Sequence, residues 1–405
     1  MSSVKHILFL SHYFPPEVNV PASRTFEHAK RWVKKGLKVT VLTNNPNHPH
    51  GKLYPGYKNK IFSKEVIDNI VVYRVKTFLT KNTGFWMRLV NYITYFVMAI
   101  ITSSRVKNLD VIIATSPQFF CGLAGVFISK IKGKPFILEV RDLWPGQIEA
   151  LGFVKNTKIL NALYRLERFM YSSADKIITV TDFQNHHIVN LGYPREDIST
   201  IYNAVDLEFF ASHRSNQSEK DTFVASYIGF FGTRYALDVI VDTAIELRDC
   251  PDIEFRLIGE GKKRESIAKK LLEFDLDNLK LIPLQPKSEI PKIIAESDVG
   301  LIIWTKEPVF EITIPAKMFE YWALKKPVIL ASFDGDGTKI INQYNAGIVI
   351  KPEDKDELKE AILKLYSDKD LQKTLGENGY QAVLELYNRD NMSERMLNVI
   401  RSISI

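Results

Sequence analysis

Cysteine is scarce in this sequence, glycine is missing from its amino end, and no apolar run is long. Each scarcity closes off a class of protein. Only Cys121 and Cys250 occur in 405 residues. They stand far apart without metal-ligand spacing, so they are read as unpaired thiols in a reducing compartment and not as a disulfide framework or metal site. No glycine lies between Met1 and Gly36. The first apolar run, residues 5–11, is therefore not followed by the G-x-G-x-x-G turn of a dinucleotide oxidoreductase. The most apolar segment, 85–102, is free of charge only from 89 to 104, 16 residues that include Asn91 and Thr94. That falls short of the roughly 20 needed to span a bilayer. Residues 1–20 lack the basic, apolar, small-residue layout of a signal peptide, because the run 7–10 meets His12, Pro15 and Pro16. The expected placement is cytoplasmic, peripheral at the inner face of the cytoplasmic membrane.

What is present is an ordinary globular composition, 45% hydrophobic and 25% charged, with an uneven distribution of charge. Residues 1–202 carry 27 Lys and Arg against 13 Asp and Glu, a net +14, whereas residues 203–405 carry 27 against 34, a net −7. A basic half suits an anionic membrane leaflet or a polyphosphate acceptor. No nucleic-acid motif or base-stacking pattern accompanies it, so nucleic acid is not expected as a partner.

Short apolar runs alternate with helix-length segments. Strands are expected at 5–11, 38–43, 71–75, 111–114, 136–140 and 176–181, with a helix over 22–35. A second series lies at 223–228, 254–258, 279–283, 299–303, 327–331 and 347–350. Such alternation implies parallel sheets covered on both faces. The expected class is therefore α/β with two doubly wound Rossmann-like domains facing across a cleft, 1–202 and 203–386, linked near 201–208. A polar cluster at 212–220 reads as an exposed loop, and a last helix over 387–405 is a candidate to cross back to the first domain.

Six stretches in fixed order, SHYFPPE (11–17), GLKVTVLT (36–43), EVRDLWPGQIEALG (139–152), YNAVD (202–206), LIGEG (257–261) and PAKMFEYWALKKP (315–327), resemble retaining glycosyltransferase family 4. Within it the sequence is similar to O-antigen and capsule enzymes, N-acetyl-L-fucosaminyltransferases in particular. The resemblance implies the GT-B fold, an amino-terminal acceptor domain, a carboxyl-terminal nucleotide-sugar domain, a UDP-sugar donor, a polyprenyl-diphosphate-linked sugar acceptor, and no cofactor or metal. One departure stands out. The family carries two glutamates with seven residues between them; Glu320 fills the second position and Ile312 the first, with Glu311 one residue out of register.

A nucleotide sugar demands cations or aimed amides for its phosphates and a carboxylate for its ribose hydroxyls. Gly232 and Arg234, in a Gly-Phe-Phe-Gly-Thr-Arg turn between strand and helix, are candidates for backbone approach to the diphosphate and for its charge. Gly259 and Lys263, with Arg264, offer a second turn. Pro315 suits a helix start, so Lys317 is expected at the phosphates and Glu320 at the ribose, with Ile314 completing the set. Arg141 and Asp142 follow a strand directly, which puts them at its carboxyl end. With Glu311 they form the expected catalytic set, Asp142 orienting or deprotonating the acceptor and Arg141 holding phosphate. Asn19, Arg24 and Trp144 are the expected acceptor-binding residues.

Each assignment has a plainer counterpart: a solvated Arg234, Glu320 on an exposed helix face, an Arg141–Asp142 ion pair holding a loop. Asp334-Gly335-Asp336-Gly337 reads as a turn, and His186 with His187 as helix decoration. Segment 85–102 reads equally as a buried sheet-covering helix and as an interfacial one, with the cations of the 22–35 helix nearby. The rival functional reading is a non-catalytic nucleotide-sugar or glycan-binding protein.

Overall fold

The computed structural model describes residues 4–81, 84–116, 118–150, 152, 154, 156–212 and 222–403. Most of the 212–220 cluster lies outside them. The chain divides into two compact units, 1–202 with 392–405, and 203–391.

The first unit holds β1 (His6–Leu10), β2 (Lys38–Asn44), β3 (Phe62–Ile67), β4 (Ile70–Val75), β5 (Val111–Thr115), β6 (Phe136–Val140), β7 (Lys176–Thr179) and β8 (Ile198–Thr200). They form one sheet in the order β3-β4-β2-β1-β5-β6-β7-β8. Its helices are α1 (Val20–Lys34), α2 (Phe85–Ser103), α3 (Phe119–Lys132), α4 (Gly146–Ala150), α5 (Thr157–Ser172) and α6 (Asp182–Asn190). Every residue of β1, β5 and β6 is buried, as a parallel sheet covered on both faces requires. The expectation of a wholly parallel sheet fails at one edge. There β3, absent from the expected strands, pairs antiparallel with β4 through a tight turn at Asp68 and Asn69, both at positive φ.

Crossovers between parallel strands are right-handed, so connections running in opposite directions along a sheet fall on opposite faces. The step from β1 to β2 runs one way; the steps from β4 to β5 and from β5 to β6 run the other. Packing agrees. Phe9 stacks on Trp32 of α1 with ring centroids 5.9 Å apart, whereas Leu8 and Leu10 join Tyr95 and Ala99 of α2 and Phe119 of α3 in the core. The expected neighbourhood of α1 cations and the α2 apolar segment is thus corrected: the sheet lies between them. Several of those cations are occupied as well, Lys30 by Asp68 and Lys35 by Glu394.

Arg24 is corrected too. Its Nε donates to Glu139 Oε1 at 2.8 Å, and its two terminal nitrogens donate to the carbonyls of Tyr202 and Ile201, each at 2.8 Å. Both side chains are 1% exposed. A guanidinium spent inside the fold holds α1, β6 and the end of the first unit together and has no reach to an acceptor.

The second unit holds β9 (Phe223–Ile228), β10 (Ile253–Ile258), β11 (Leu279–Ile282), β12 (Val299–Ile303), β13 (Val328–Ala331) and β14 (Gly347–Ile350). The order is β11-β10-β9-β12-β13-β14, parallel throughout. Its helices are α7 (Leu207–Ala211), α8 (Leu237–Glu246), α9 (Arg264–Phe274), α10 (Ile290–Ala295), α11 (Ala316–Ala323), α12 (Asp336–Tyr344), α13 (Lys355–Ser367) and α14 (Lys369–Glu385). Strand order reverses between β9 and β12. In open α/β sheets that reversal opens a crevice beyond the carboxyl ends of the strands.

The last helix, α15 (Arg389–Arg401), contributes residues 392–401 to the first unit. Trp32 Nε1 donates to the Ser393 carbonyl at 3.2 Å, and Met392, Met396, Leu397 and Ile400 are fully buried.

Candidate nucleotide-sugar site and its counterpart in the first unit

Beyond β9 and β10 two glycine turns are laced together by backbone hydrogen bonds. Gly229 N donates to Ile258 O and Phe231 N to Glu260 O, both at 2.8 Å, and Lys263 N donates to Phe231 O at 3.0 Å. A Cβ on Gly259 would collide with the Gly229 carbonyl, and one on Gly261 would press into the Phe231 backbone. Gly229, Gly259 and Gly261 are the glycines at which a Cβ would meet the fold's own backbone or Lys317, whereas Gly232 sits against the Phe230 ring. On the other side, Ala236 N donates to Ile303 O at 3.3 Å, and Thr305 N and Oγ1 both donate to the Arg234 carbonyl at 3.2 Å. These bonds fix the turn against the end of β12.

Into this corner projects Lys317, from the first turn of α11. Its ammonium lies 4.9 Å from the Tyr227 ring centroid and 5.8 Å from that of Tyr235. Among the described residues it has no hydrogen bond or ion pair. Burial lowers its pKa to about 8, and the nearby Glu320 carboxylate opposes the shift. α11 begins at Ala316 after Pro315, which caps it with no side-chain hydrogen bond. The first amides of the helix therefore point outward without a side-chain acceptor, and the macrodipole adds positive potential beside Lys317. Glu320, one turn further along, is half-buried.

The other expected donor residues are placed less directly. Arg234 is half-exposed and pairs with Glu307 at 3.2 Å. Lys263 donates to Asp238 at 2.8 Å and to the Tyr235 carbonyl at 3.1 Å. Arg264 donates to the carbonyls of Gly259 and Ile282 and so holds the turn. Ile314 is buried. Glu311 lies in the loop before α11, where its carbonyl accepts from Asp336 N at 3.0 Å and excludes any Cβ at Gly335. The Asp334–Gly337 stretch starts α12, with Thr338 Oγ1 accepting from Gly335 N at 2.8 Å and donating to Asp334 Oδ1 at 3.0 Å. Among the described residues no group of three or more His, Cys, Asp or Glu has metal-holding geometry.

In the first unit Arg141 and Asp142 follow β6. Burial raises the Asp142 carboxyl above its usual range; the Arg141 charge and a 3.3 Å hydrogen bond from Gln147 Nε2 pull the other way. Arg141 is held by its backbone, its amide donating to Ser116 Oγ and its carbonyl accepting from Gln184. Trp144 packs on Phe119, ring centroids 6.3 Å apart. Asn19 caps α1, its Oδ1 accepting from Ala22 N at 2.9 Å.

The sequence reading missed a second group, at the carboxyl ends of β1 and β2. His12, Tyr13, His48, Arg88, Asn91 and Tyr92 line a small cavity there. His12 is held neutral, its pKa pushed down to about 3 by burial and by the charges of His48 and Arg88. The buried Glu17 carboxylate accepts from the amides of Asn47 and His48, each at 2.9 Å, and so shapes the loop above β2. The SHYFPPE stretch was the available signal, but no spacing rule connects it to Arg88.

With this geometry in view, the relatives are informative. Residues 208–382 match the family described as "Glycosyl transferases group 1", and residues 22–209 match "Glycosyltransferase Family 4". The two halves of the chain are thus each similar to a glycosyltransferase family. The junction of the two family matches, at 208–209, lies close to the boundary between units at 202–203. A glycosyltransferase of Methanocaldococcus jannaschii is 27% identical over 213 residues, 52% of this chain and 55% of its own length. The capsular polysaccharide biosynthesis glycosyltransferase CapM of Staphylococcus aureus is 24% identical over 65% of this chain and 69% of its own. The chain thus spans little more than half the length of the first of these relatives. In fold it is similar to HepE of Anabaena, solved with UDP and glucose, at a TM-score of 0.68 and 14% identity over 99% of this chain and all of the other.

Proposed function

We propose that this protein is a retaining, metal-independent glycosyltransferase. In this reading it moves a sugar, an N-acetylated deoxy amino sugar, from UDP to a lipid-diphosphate-linked acceptor in the synthesis of a bacterial surface polysaccharide such as O-antigen or capsule. The observation that carries the donor half is Lys317, a half-buried ammonium over two tyrosine rings with no hydrogen bond or ion pair among the described residues. Burying a charge without a partner is costly unless a ligand completes it. A diphosphate does so, resting on Lys317 and on the uncapped amides of α11. Glu320 then accepts from the ribose hydroxyls, and Arg234, drawn from Glu307, adds charge at the phosphates. The capsular relative supports a polysaccharide product, and the UDP complex of the HepE fold relative supports a UDP donor.

In the reaction the bond between the anomeric carbon and the diphosphate oxygen breaks and UDP departs with the electron pair. The acceptor hydroxyl oxygen bonds that carbon on the face UDP leaves. Its proton passes to the leaving phosphate or to Asp142, whose carboxyl burial raises above its usual range. Arg141 stabilises the phosphate charge.

Calorimetry with UDP on wild type, Lys317→Ala and Glu320→Ala tests the donor site. Each loss is expected to weaken binding by about tenfold or more, the worth of a charge-assisted hydrogen bond. Wild-type affinity in both variants sinks the assignment. A screen of UDP-sugars against a lipid-diphosphate sugar, read by mass with and without chelator, tests the transfer and its independence of metal. Binding of UDP without any transfer would favour the non-catalytic reading.

A further inference from the structure

One cluster of cations in the first unit is used by neither the donor residues nor Asp142. Gly51 makes the cluster possible. A Cβ there would collide with the backbone of Thr80 and Lys81, so the loop carrying His48, His50 and Lys52 packs directly beside Lys81. Two adjoining cavities share Asn47 and Lys81. The larger, about 540 Å³, is lined also by Lys52 and Tyr54, and the smaller by Arg88 from the first turn of α2. Among the described residues no carboxylate lies within ion-pair distance of Lys52, Lys81 or Arg88. Arg88 donates to the Tyr92 hydroxyl, at 3.2 and 2.9 Å, and the buried Glu17 accepts from backbone amides through Oε1 alone.

The same helix carries a second unexplained feature. Trp86, Val90, Ile93, Val97 and Ile101 are 42% to 69% exposed. Their spacing places them on one stripe along the full length of α2, opposite the face packed on the sheet. Phe127 and Ile131 of α3 are exposed as well, at 40% and 65%. No helix among the described residues is long and apolar enough to cross a membrane. The charge of this region has one sign. Asp110 is the sole carboxylate in residues 69–138, against nine Lys and Arg. It is consumed by the amides of Lys5 and His6, at 2.8 Å each. Exposed apolar surface in a region so poor in carboxylates complements an anionic bilayer surface.

The geometry points to a lipid-phosphate site in the first unit: the cation-lined cavity at the start of α2 takes the phosphates of a prenyl diphosphate, and the outer stripe of α2 with α3 rests in the bilayer interface that holds its tail. This rests on the lipid-linked acceptor proposed above and names the residues that receive it. The acceptor is gripped by Lys81, Arg88 and Lys52, not by Arg24, and the apolar stripe brings these cations to headgroup depth.

The full chain, with UDP present in excess to fill the second unit, is titrated with farnesyl diphosphate, inorganic diphosphate and farnesol. Farnesyl diphosphate is expected to bind best, and Lys81→Gln with Arg88→Gln to weaken it by about tenfold or more. Flotation with vesicles of phosphatidylcholine, alone or mixed with phosphatidylglycerol, reads the stripe. Binding is expected only to the anionic vesicles, reduced by salt and abolished by Val97→Ser with Ile101→Ser. Thermal melting of each variant accompanies both measurements, and the single exposed Lys81→Gln variant serves if the double variant is unstable. Unchanged farnesyl diphosphate affinity in folded variants overturns the pocket. Equal affinity for inorganic diphosphate overturns the lipid, and indifference to phosphatidylglycerol overturns the interface. UDP binding is followed separately: its presence without prenyl diphosphate binding sinks this inference and leaves the donor site standing, and the reverse sinks the donor site alone.

Discussion

Gly229 and Lys317 share one space: the Lys317 ammonium occupies the position that a Cβ on Gly229 would fill. Position 229 is therefore restricted by a side chain 88 residues away as well as by its own turn, and the ammonium is steered over the Tyr227 and Tyr235 rings by the missing methyl. Gly229→Ala is expected to displace Lys317 and to weaken UDP binding by about tenfold or more, the scale of one charge-assisted contact. Gly229 also has a positive φ that alanine tolerates poorly, so thermal melting is followed beside binding to separate a lost contact from a strained turn. Retention of full UDP affinity by a folded Gly229→Ala protein would show that Lys317 does not meet the nucleotide.

The depressed pKa of Lys317 gives that contact a pH dependence. With a value of about 8 the side chain is charged below that pH and neutral above it. Diphosphate affinity should accordingly fall as pH rises through about 8 and hold steady below it. Lys317→Arg, charged throughout, should flatten the profile. Calorimetry from neutral to alkaline pH decides the matter, and parallel profiles for the two proteins would contradict it.

Arg24 is expected to matter for stability and not for acceptor recognition. Removing one partner of a buried, hydrogen-bonded ion pair leaves the other charge stranded, at a cost of about 3–5 kcal/mol. Glu139 illustrates the balance: burial opposes its ionisation, yet the charges of Arg24 and Arg141 hold its carboxyl below the usual range. Arg24→Met should lower the melting temperature sharply. Adding Glu139→Leu should restore part of the loss, because the stranded carboxylate is then gone. An Arg24→Met protein of normal stability with a raised acceptor KM would restore the acceptor role.

Asp142→Asn is expected to leave UDP affinity intact while lowering turnover by roughly 10²-fold, the lower end of what general acid–base groups contribute. The near-isosteric amide keeps the space and a polar partner for Gln147. Steady-state rates beside calorimetry check it. Equal losses of binding and turnover, with a lowered melting temperature, would mark Asp142 as a loop-holding group.

The sequence by itself determined two alternating β/α units, the inner strands of both sheets, a helix starting beside Lys317, and the concentration of positive charge in the first half. These are local or near-local consequences of side-chain period, turn residues and composition, which act over ranges shorter than one βα unit. The edge strand β3 escaped because Phe62–Ile67 holds only half-buried and exposed positions, with charges at Lys64 and Glu65, a pattern that resembles surface loop. Gly229 meeting Lys317, Arg24 turning inward to Glu139, Lys263 pairing with Asp238, and α1 and α2 separated by the sheet were decided only by the tertiary structure. Each depends on which strand neighbours which and on the hand of the crossovers between them. A cation is available to a ligand only when no carboxylate of the fold reaches it first, and the residues that settle this lie up to 359 positions away in the chain, as Glu394 does from Lys35.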